Sequence, residues 1–184
     1  MKKLVRTTKE TRVEVRLEKS GGRGLSSVEV ATGKPFFDHM LTTFLRYAGL
    51  DCKLTATGDL AHHLMEDVAI TLGRALRRSL PESIARYGER TIPMDDALVH
   101  AAIDVGGRFY YAGELPNRLY THVLRSFADA VGATLHVRVL AGVDRHHIIE
   151  AAYKATGLAL RDAMNDAGEG IFSLKGAAEI EVDE

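Results

Sequence analysis

Apolar and polar residues alternate with period two in some stretches of this chain and recur at helical spacing in others, and the two kinds of stretch follow one another in turn. Val13, Val15 and Leu17 alternate with Arg12, Glu14 and Arg16, which predicts a half-buried strand over residues 5–17. Gly21, Gly22 and Gly24 mark a turn, and residues 27–31 read as a second strand. Asp38 is placed to cap a helix that runs to residue 48 and stops at Gly49. Residues 52–57 read as a third strand with Leu54 and Ala56 on one face. Gly58 and Asp59 then turn the chain, and a long helix over 61–80 stops at Pro81. Val68, Leu72, Ala75 and Leu76 give that helix an apolar stripe.

The second half predicts the same order. Strands over 97–105 and 108–114 flank Gly106-Gly107, a helix spans 121–131, and an alternating strand spans 134–140. A turn at 142–144 leads into a long helix over 146–167. The correspondence extends to single residues. His62-His63-Leu64-Met65-Glu66 recurs as His146-His147-Ile148-Ile149-Glu150, and Gly73, Ala75, Leu76 and Arg77 recur at the same spacing as Gly157, Ala159, Leu160 and Arg161. His39-Met40-Leu41 and Phe44 align with His122-Val123-Leu124 and Phe127, and Asp59 and Asp144 precede the paired histidines. A helix, strand, turn and second helix agreeing in one order indicate an ancient duplication. The chain reads as a single domain, residues 1–184, made of two repeats of about 1–90 and 91–184.

Composition narrows the class. The chain has 184 residues, 46% hydrophobic and 27% charged, with a formal net charge of -1. A chain of this size can bury a substantial core. No run of one charge sign suggests a nucleic-acid surface. No apolar run approaches the ~20 residues of a membrane span, and residues 1–8 are too polar for a secretory signal. The lone cysteine, Cys52, sits among strand residues and reads as core. These features predict a cytoplasmic protein without nucleic-acid or membrane partners.

Six of the eight histidines fall at repeat-related positions: His39, His62, His63, His122, His146 and His147. On a helix, positions i, i+3 and i+4 share a face, so Glu66 lies near His62 and His63, and Glu150 near His146 and His147. Adjacent histidines diverge by about 100° and do not comfortably chelate one ion together. The pattern therefore predicts two metals, each drawing ligands from both motifs, with His39 and His122 completing the shells. Imidazole and carboxylate donors suit Mn²⁺, Fe²⁺ or Zn²⁺. Such ligands bind as neutral imidazole, so metal affinity should fall below a pH of about 6.5. The chain lacks the His-Glu-x-x-His word of zincin proteases and the Glu-x-x-His word of ferritin-like bundles. His100 and His136 lie outside the repeat and read as structural.

Phe37-Asp38-His39-Met40-Leu41, His62-His63-x-x-Glu66-Asp67 and His146-His147-x-x-Glu150-Ala151 together resemble the imidazoleglycerol-phosphate dehydratase family. So do Arg6-x-Thr8-x-Glu10-Thr11 and Ser173-x-Lys175-Gly176. The resemblance spans nearly the whole chain and implies this unit alone, without a fused phosphatase domain. It implies an α+β fold of duplicated half-domains, with a four-helix layer sandwiched between two mixed four-stranded β-sheets. It also implies a homo-oligomer of 24 subunits with active sites at subunit interfaces.

The implied reaction is dehydration of D-erythro-imidazole glycerol phosphate to imidazole acetol phosphate in histidine biosynthesis, with two Mn²⁺ per active site. Its implied ligands are His39, His62, His63, Glu66, His122, His146, His147 and Glu150. Two cations on the substrate's ring would stabilise an imidazolate, which can expel the adjacent hydroxyl. By the same resemblance Glu10 moves protons on the glycerol side and contacts substrate. Glu66 and Glu150 serve catalysis as ligands. Lys154, one turn beyond Glu150, touches substrate or a carboxylate behind the ligands. Asp67 reads either as such a supporting carboxylate or as a solvated helix residue. Arg86, Arg108, Ser173 and Lys175 match the family's phosphate-binding positions. Thr43 departs from the family pattern, in which many members carry glutamine, and that predicts one lost or water-replaced substrate contact. A metal store would have no use for the phosphate residues, and a di-metal hydrolase of another kind would not be expected to carry the duplicated word.

Overall fold

The computed structural model describes residues 1–21, 26–81 and 83–166. The first repeat contains β1 (Lys2–Thr7), β2 (Thr11–Lys19), β3 (Val28–Ala31), α1 (Pro35–Tyr47), β4 (Leu50–Gly58) and α2 (Ala61–Arg77). The second contains β5 (Tyr87–Met94), β6 (Ala97–Val105), β7 (Tyr110–Ala112), α3 (Arg118–Val131), β8 (Ala133–Ala141) and α4 (Arg145–Ala163). Each repeat builds one mixed sheet, ordered β1-β2-β4-β3 and β5-β6-β8-β7, with one parallel pair at the equivalent edge. The alternation that predicted half-buried strands turns one face of each sheet inward: Val13, Val15 and Leu17 of β2 and Val99, Ala101 and Ile103 of β6 are buried.

The four helices lie between the two sheets. α1 and α2 cover the first sheet, α3 and α4 the second, and the helices meet across the middle as α1 with α4 and α2 with α3. One continuous apolar core results. No helix among the described residues is long and apolar enough to cross a membrane.

Several sequence expectations change. The strand read over 5–17 is a hairpin, β1 and β2 paired from Lys2↔Leu17 to Thr7↔Arg12. Its turn is held by Thr8 Oγ1, which accepts hydrogen bonds from the amides of Glu10 (3.2 Å) and Thr11 (3.0 Å). Its counterpart β5 carries no clear alternation and contains Pro93, so periodicity passed over it. Asp38 does not cap α1. It sits inside the first turn and accepts from the Thr32 amide and hydroxyl. α3 begins at Arg118 because the Asn117 side chain caps the Leu119 amide. The strand read over 108–114 shortens to β7, and α2 and α4 stop at Arg77 and Ala163 rather than at residues 80 and 167. Gly49 and Gly132 end α1 and α3 with φ of 68° and 76°, a conformation in which a side chain would be strained. Of the glycines expected to turn the chain after β2, Gly22 and Gly24 lie outside the described residues.

Two glycines decide how the helices meet. A Cβ on Gly73 of α2 would lie 2.7 Å from Ala130 Cβ and 2.8 Å from the Phe127 carbonyl oxygen of α3. One on Gly157 of α4 would lie 2.6 Å from the Phe44 carbonyl oxygen and 3.0 Å from Tyr47 Cβ of α1. These repeat-related positions set both helix crossings. Gly157→Ala should therefore lower stability by about 1–3 kcal/mol in chemical denaturation, as overpacking does; an unchanged midpoint would show that the helices can part at no cost.

Cys52 is buried, and burial raises its thiol to about 12. Ellman's reagent at pH 8 should label it only after denaturation, when the thiol regains its ordinary value near 8.5. The contribution to stability is complete below the unfolded thiol's value and is lost as the pH rises from there toward 12, because only the unfolded chain releases the proton in that window.

Candidate metal centre

The paired histidines occupy the first turns of α2 and α4, and each joins a histidine from a short helix of the other repeat. In one cluster His146 Nε2 and His39 Nε2 lie 3.0 and 3.4 Å from the same oxygen, Glu150 Oε2. In the other, His122 Nε2 lies 3.0 Å from Glu66 Oε1, and the His62 and His122 rings stack with centroids 4.9 Å apart. The donor atoms within each trio all lie within 4.8 Å of one another. Donors about 2.1 Å from a shared ion fall within about 4 Å of each other, so both trios are close to the size of a cation shell. The second also shows an orphaned donor: His122 Nε2 is buried yet not aligned to hydrogen-bond Glu66. The residues present fit the metal that the resemblance implies.

Each trio thus combines one His-x-x-x-Glu pair with one short-helix histidine, His39 with His146 and Glu150, and His122 with His62 and Glu66. Within one chain each of these two trios draws on only one of the two paired motifs. The second histidine of each pair points toward acidic residues. His63 Nδ1 lies 3.0 Å from Glu10 Oε2 and 3.6 Å from Asp59 Oδ1. His147 Nδ1 lies 2.7 Å from Asp96 Oδ1, and its Nε2 lies 3.3 Å from Asp95 Oδ2. Hydrogen bonds from the Asp144 amide, His147 and the Val143 amide hold the Asp96 carboxyl well below the usual carboxylate range. In return the Asp96 hydrogen bond raises the His147 imidazole above its ordinary value. Asp144 caps α4 by accepting from the His146 and His147 amides, whereas Asp59 reaches only the Leu60 amide. His100 and His136 lie in β6 and β8, and His100 Nδ1 is 2.9 Å from the Thr91 hydroxyl.

Carboxylates behind the ligands hold the rest in place. Lys154 Nζ donates to Glu150 Oε1 at 2.9 Å, leaving Oε2 to the histidines. Burial pushes the Glu150 carboxyl up. The hydrogen bonds from Lys154, His146 and His39 outweigh it, and the net shift is downward. Lys154 therefore holds Glu150, a candidate ligand itself, and not a carboxylate behind the ligands as the sequence suggested. Asp67 is an anchor and not a solvated residue: it accepts from the Thr11 hydroxyl and pairs with Arg6, pinning the β1–β2 hairpin to α2. That pinning places Glu10, at the hairpin turn, beside His63. The Arg-x-Thr-x-Glu-Thr word is thus a scaffold for one exposed carboxylate.

The phosphate residues are less uniform. Arg86, at φ 66°, donates to both oxygens of Asp104 at 3.0–3.1 Å. Arg108 is exposed, and its guanidinium has no partner among the described residues. Ser173 and Lys175 lie outside the described residues. Thr43 is buried in α1, one turn beyond His39. The sequence reading missed Asp95 and Asp96, because without β5 there was no second hairpin whose turn could be aligned with that of Glu10.

The sequence profile of the family described as imidazoleglycerol-phosphate dehydratase matches residues 32–160. The protein of that name from Metallosphaera sedula is 44% identical over 94% of this chain and 96% of its own length. The Pyrococcus furiosus protein of that name is 42% identical over 93% and 98%. A crystal structure of the enzyme from Pyrococcus furiosus, in complex with (S)-C348, superposes with a TM-score of 0.84 at 41% identity, covering 95% of this chain and all of that one. The enzyme from Staphylococcus aureus superposes with a TM-score of 0.73 at 27% identity. With these matches along nearly its whole length, the chain belongs to the imidazoleglycerol-phosphate dehydratase family, hydro-lyases of histidine biosynthesis.

Proposed function

We propose that this chain, working in the cytoplasm, removes water from D-erythro-imidazole glycerol phosphate to give imidazole acetol phosphate, with two Mn²⁺ ions per active site. The observation that carries this reading is the pair of equivalent histidine and carboxylate trios, each built across the two repeats. Three protein donors leave coordination positions open. In this reading the remaining protein ligands, His63 and His147, come from neighbouring copies, because within one chain they face away from the trios toward acids. Assembly, to the 24 subunits that the resemblance implies, has support in exposed apolar residues beside the α4 histidine pair: Val143 is 89% exposed and Leu140 57%.

His39, His146 and Glu150 would hold one ion and His62, Glu66 and His122 the other, and the two would supply Lewis-acid positive charge to the substrate's imidazole ring. The chain's own residues do the rest. Glu66 and Glu150 bring anionic charge that balances the cations, and Lys154 fixes the orientation of Glu150. Glu10, exposed at its hairpin turn and pinned only through its neighbours, is free to exchange a proton with the glycerol carbon. Arg108, with Arg86, Ser173 and Lys175, supplies charge and donors for the phosphate.

Protein stripped with a chelator should not turn over imidazole glycerol phosphate, and adding Mn²⁺ should restore product formation; absence of turnover with Mn²⁺ bound would end the catalytic reading. Glu10→Gln should keep its full Mn²⁺ content while kcat falls by about 10²–10⁴-fold, the usual share of a general acid or base. Lost metal in that variant would move Glu10 into the ligand shell.

A further inference from the structure

Glu10 and Asp96 hold the same place in the two repeats. Each directly precedes the first residue of the nine-residue second strand of its sheet, Thr11 of β2 and Ala97 of β6, and each approaches the second histidine of the paired word. Their surroundings differ. Asp96 Oδ2 accepts from the amides of Val143 (2.5 Å) and Asp144 (3.0 Å), which ties it to the loop entering α4. Its other oxygen, Oδ1, is then left to His147 Nδ1 at 2.7 Å. No amide holds the Glu10 carboxylate among the described residues, and His63 Nδ1, although 3.0 Å from it, is not aligned to hydrogen-bond with it.

We propose that Asp96 is a positioning residue that fixes the tautomer of His147: the tethered carboxylate accepts the Nδ1 proton and leaves the Nε2 lone pair for a metal ion. An ionised carboxylate can only accept; of the two that approach this ring, Asp96 makes the 2.7 Å hydrogen bond to Nδ1, whereas the 69% exposed Asp95 lies 3.3 Å from Nε2 and can swing away, so the proton of a neutral imidazole sits on Nδ1. Carboxylate-to-imidazole contacts of this kind orient metal-bound histidines in general, and losing them typically lowers metal affinity 10–100-fold. The duplicated turn position has thereby taken two roles. The shorter, amide-tethered Asp96 is fixed behind a ligand, and the longer, untethered Glu10 is left to move protons. The inference rests on His147 being a Mn²⁺ ligand, as proposed above.

Asp96→Asn is the discriminating variant. Its amide oxygen can keep the two loop hydrogen bonds, while its NH₂ faces Nδ1 as a donor and forces the proton onto Nε2, where it blocks coordination. Mn²⁺ binding followed by electron paramagnetic resonance on the assembled, metal-stripped protein should show a dissociation constant raised about 10–100-fold. Asp96→Glu, which keeps a carboxylate, should bind as wild type does, and so should Glu10→Gln. Equal Mn²⁺ affinity in Asp96→Asn and wild type would overturn the proposal. So would failure of both Asp96 variants to assemble, which would assign the carboxylate to holding the loop. Wild-type protein that binds no Mn²⁺ would instead remove the metal reading on which the proposal stands.

Discussion

At Gly73 and Gly157 helices from opposite repeats pass so closely that one added methyl group would overlap a neighbouring carbonyl. The site depends on these two crossings. α2 runs beside α3, and α4 beside α1, in the same sense, so the starts of each pair come together. There His62 and Glu66 meet His122, and His146 and Glu150 meet His39. Neither of these two trios is complete within one repeat, unlike the exposed group of Glu10, Asp59 and His63, which lies wholly in the first. The duplication acts by exchange, each half lending its short-helix histidine to the long helix of the other. A wider crossing would part the donors, since imidazole and carboxylate side chains have only a few ångströms of reach.

Around the trios a second set of contacts removes freedom from the groups that must be fixed. Lys154 takes one oxygen of Glu150 and leaves the other to two imidazoles. Asp67 ties the β1–β2 hairpin to α2 through Thr11 and Arg6. The loop before α4 donates two amides to Asp96 and, through Asp144, caps the helix that carries His146 and His147. Most of these contacts involve an ionised partner in a partly buried setting, where geometry is held more tightly than between neutral, solvated groups. Glu10 stands apart, with its hairpin pinned and its carboxylate loose, as suits a group that has to move a proton between positions.

Much of the fold could be read from the chain. Period-two alternation marked β2, β4, β6 and β8 because each has one face on the helices and one outward. Glycine marked the end of α1. The pattern failed where that physical basis is missing. β5 carries Pro93 at a sheet edge and shows no regular alternation, so nothing distinguished it from a loop. The β1–β2 turn is made by a threonine hydroxyl and not by glycine or proline, so the hairpin read as one strand. The missed β5 also hid Asp95 and Asp96, since their relation to Glu10 appears only once both hairpins are aligned.

The sequence by itself determined the duplication, the pairing of histidine with glutamate on one helix face, and the set of side chains offered as ligands, because residues one helical turn apart are neighbours in any helix. Only the tertiary structure decided which histidine joins which trio, and that His63 and His147 turn to acids of the hairpin turns and helix-entry segments. It also set Asp104 against Arg86. Those choices depend on how helices and hairpins distant in sequence cross, which is set by close packing at a few small residues and not by any local spacing.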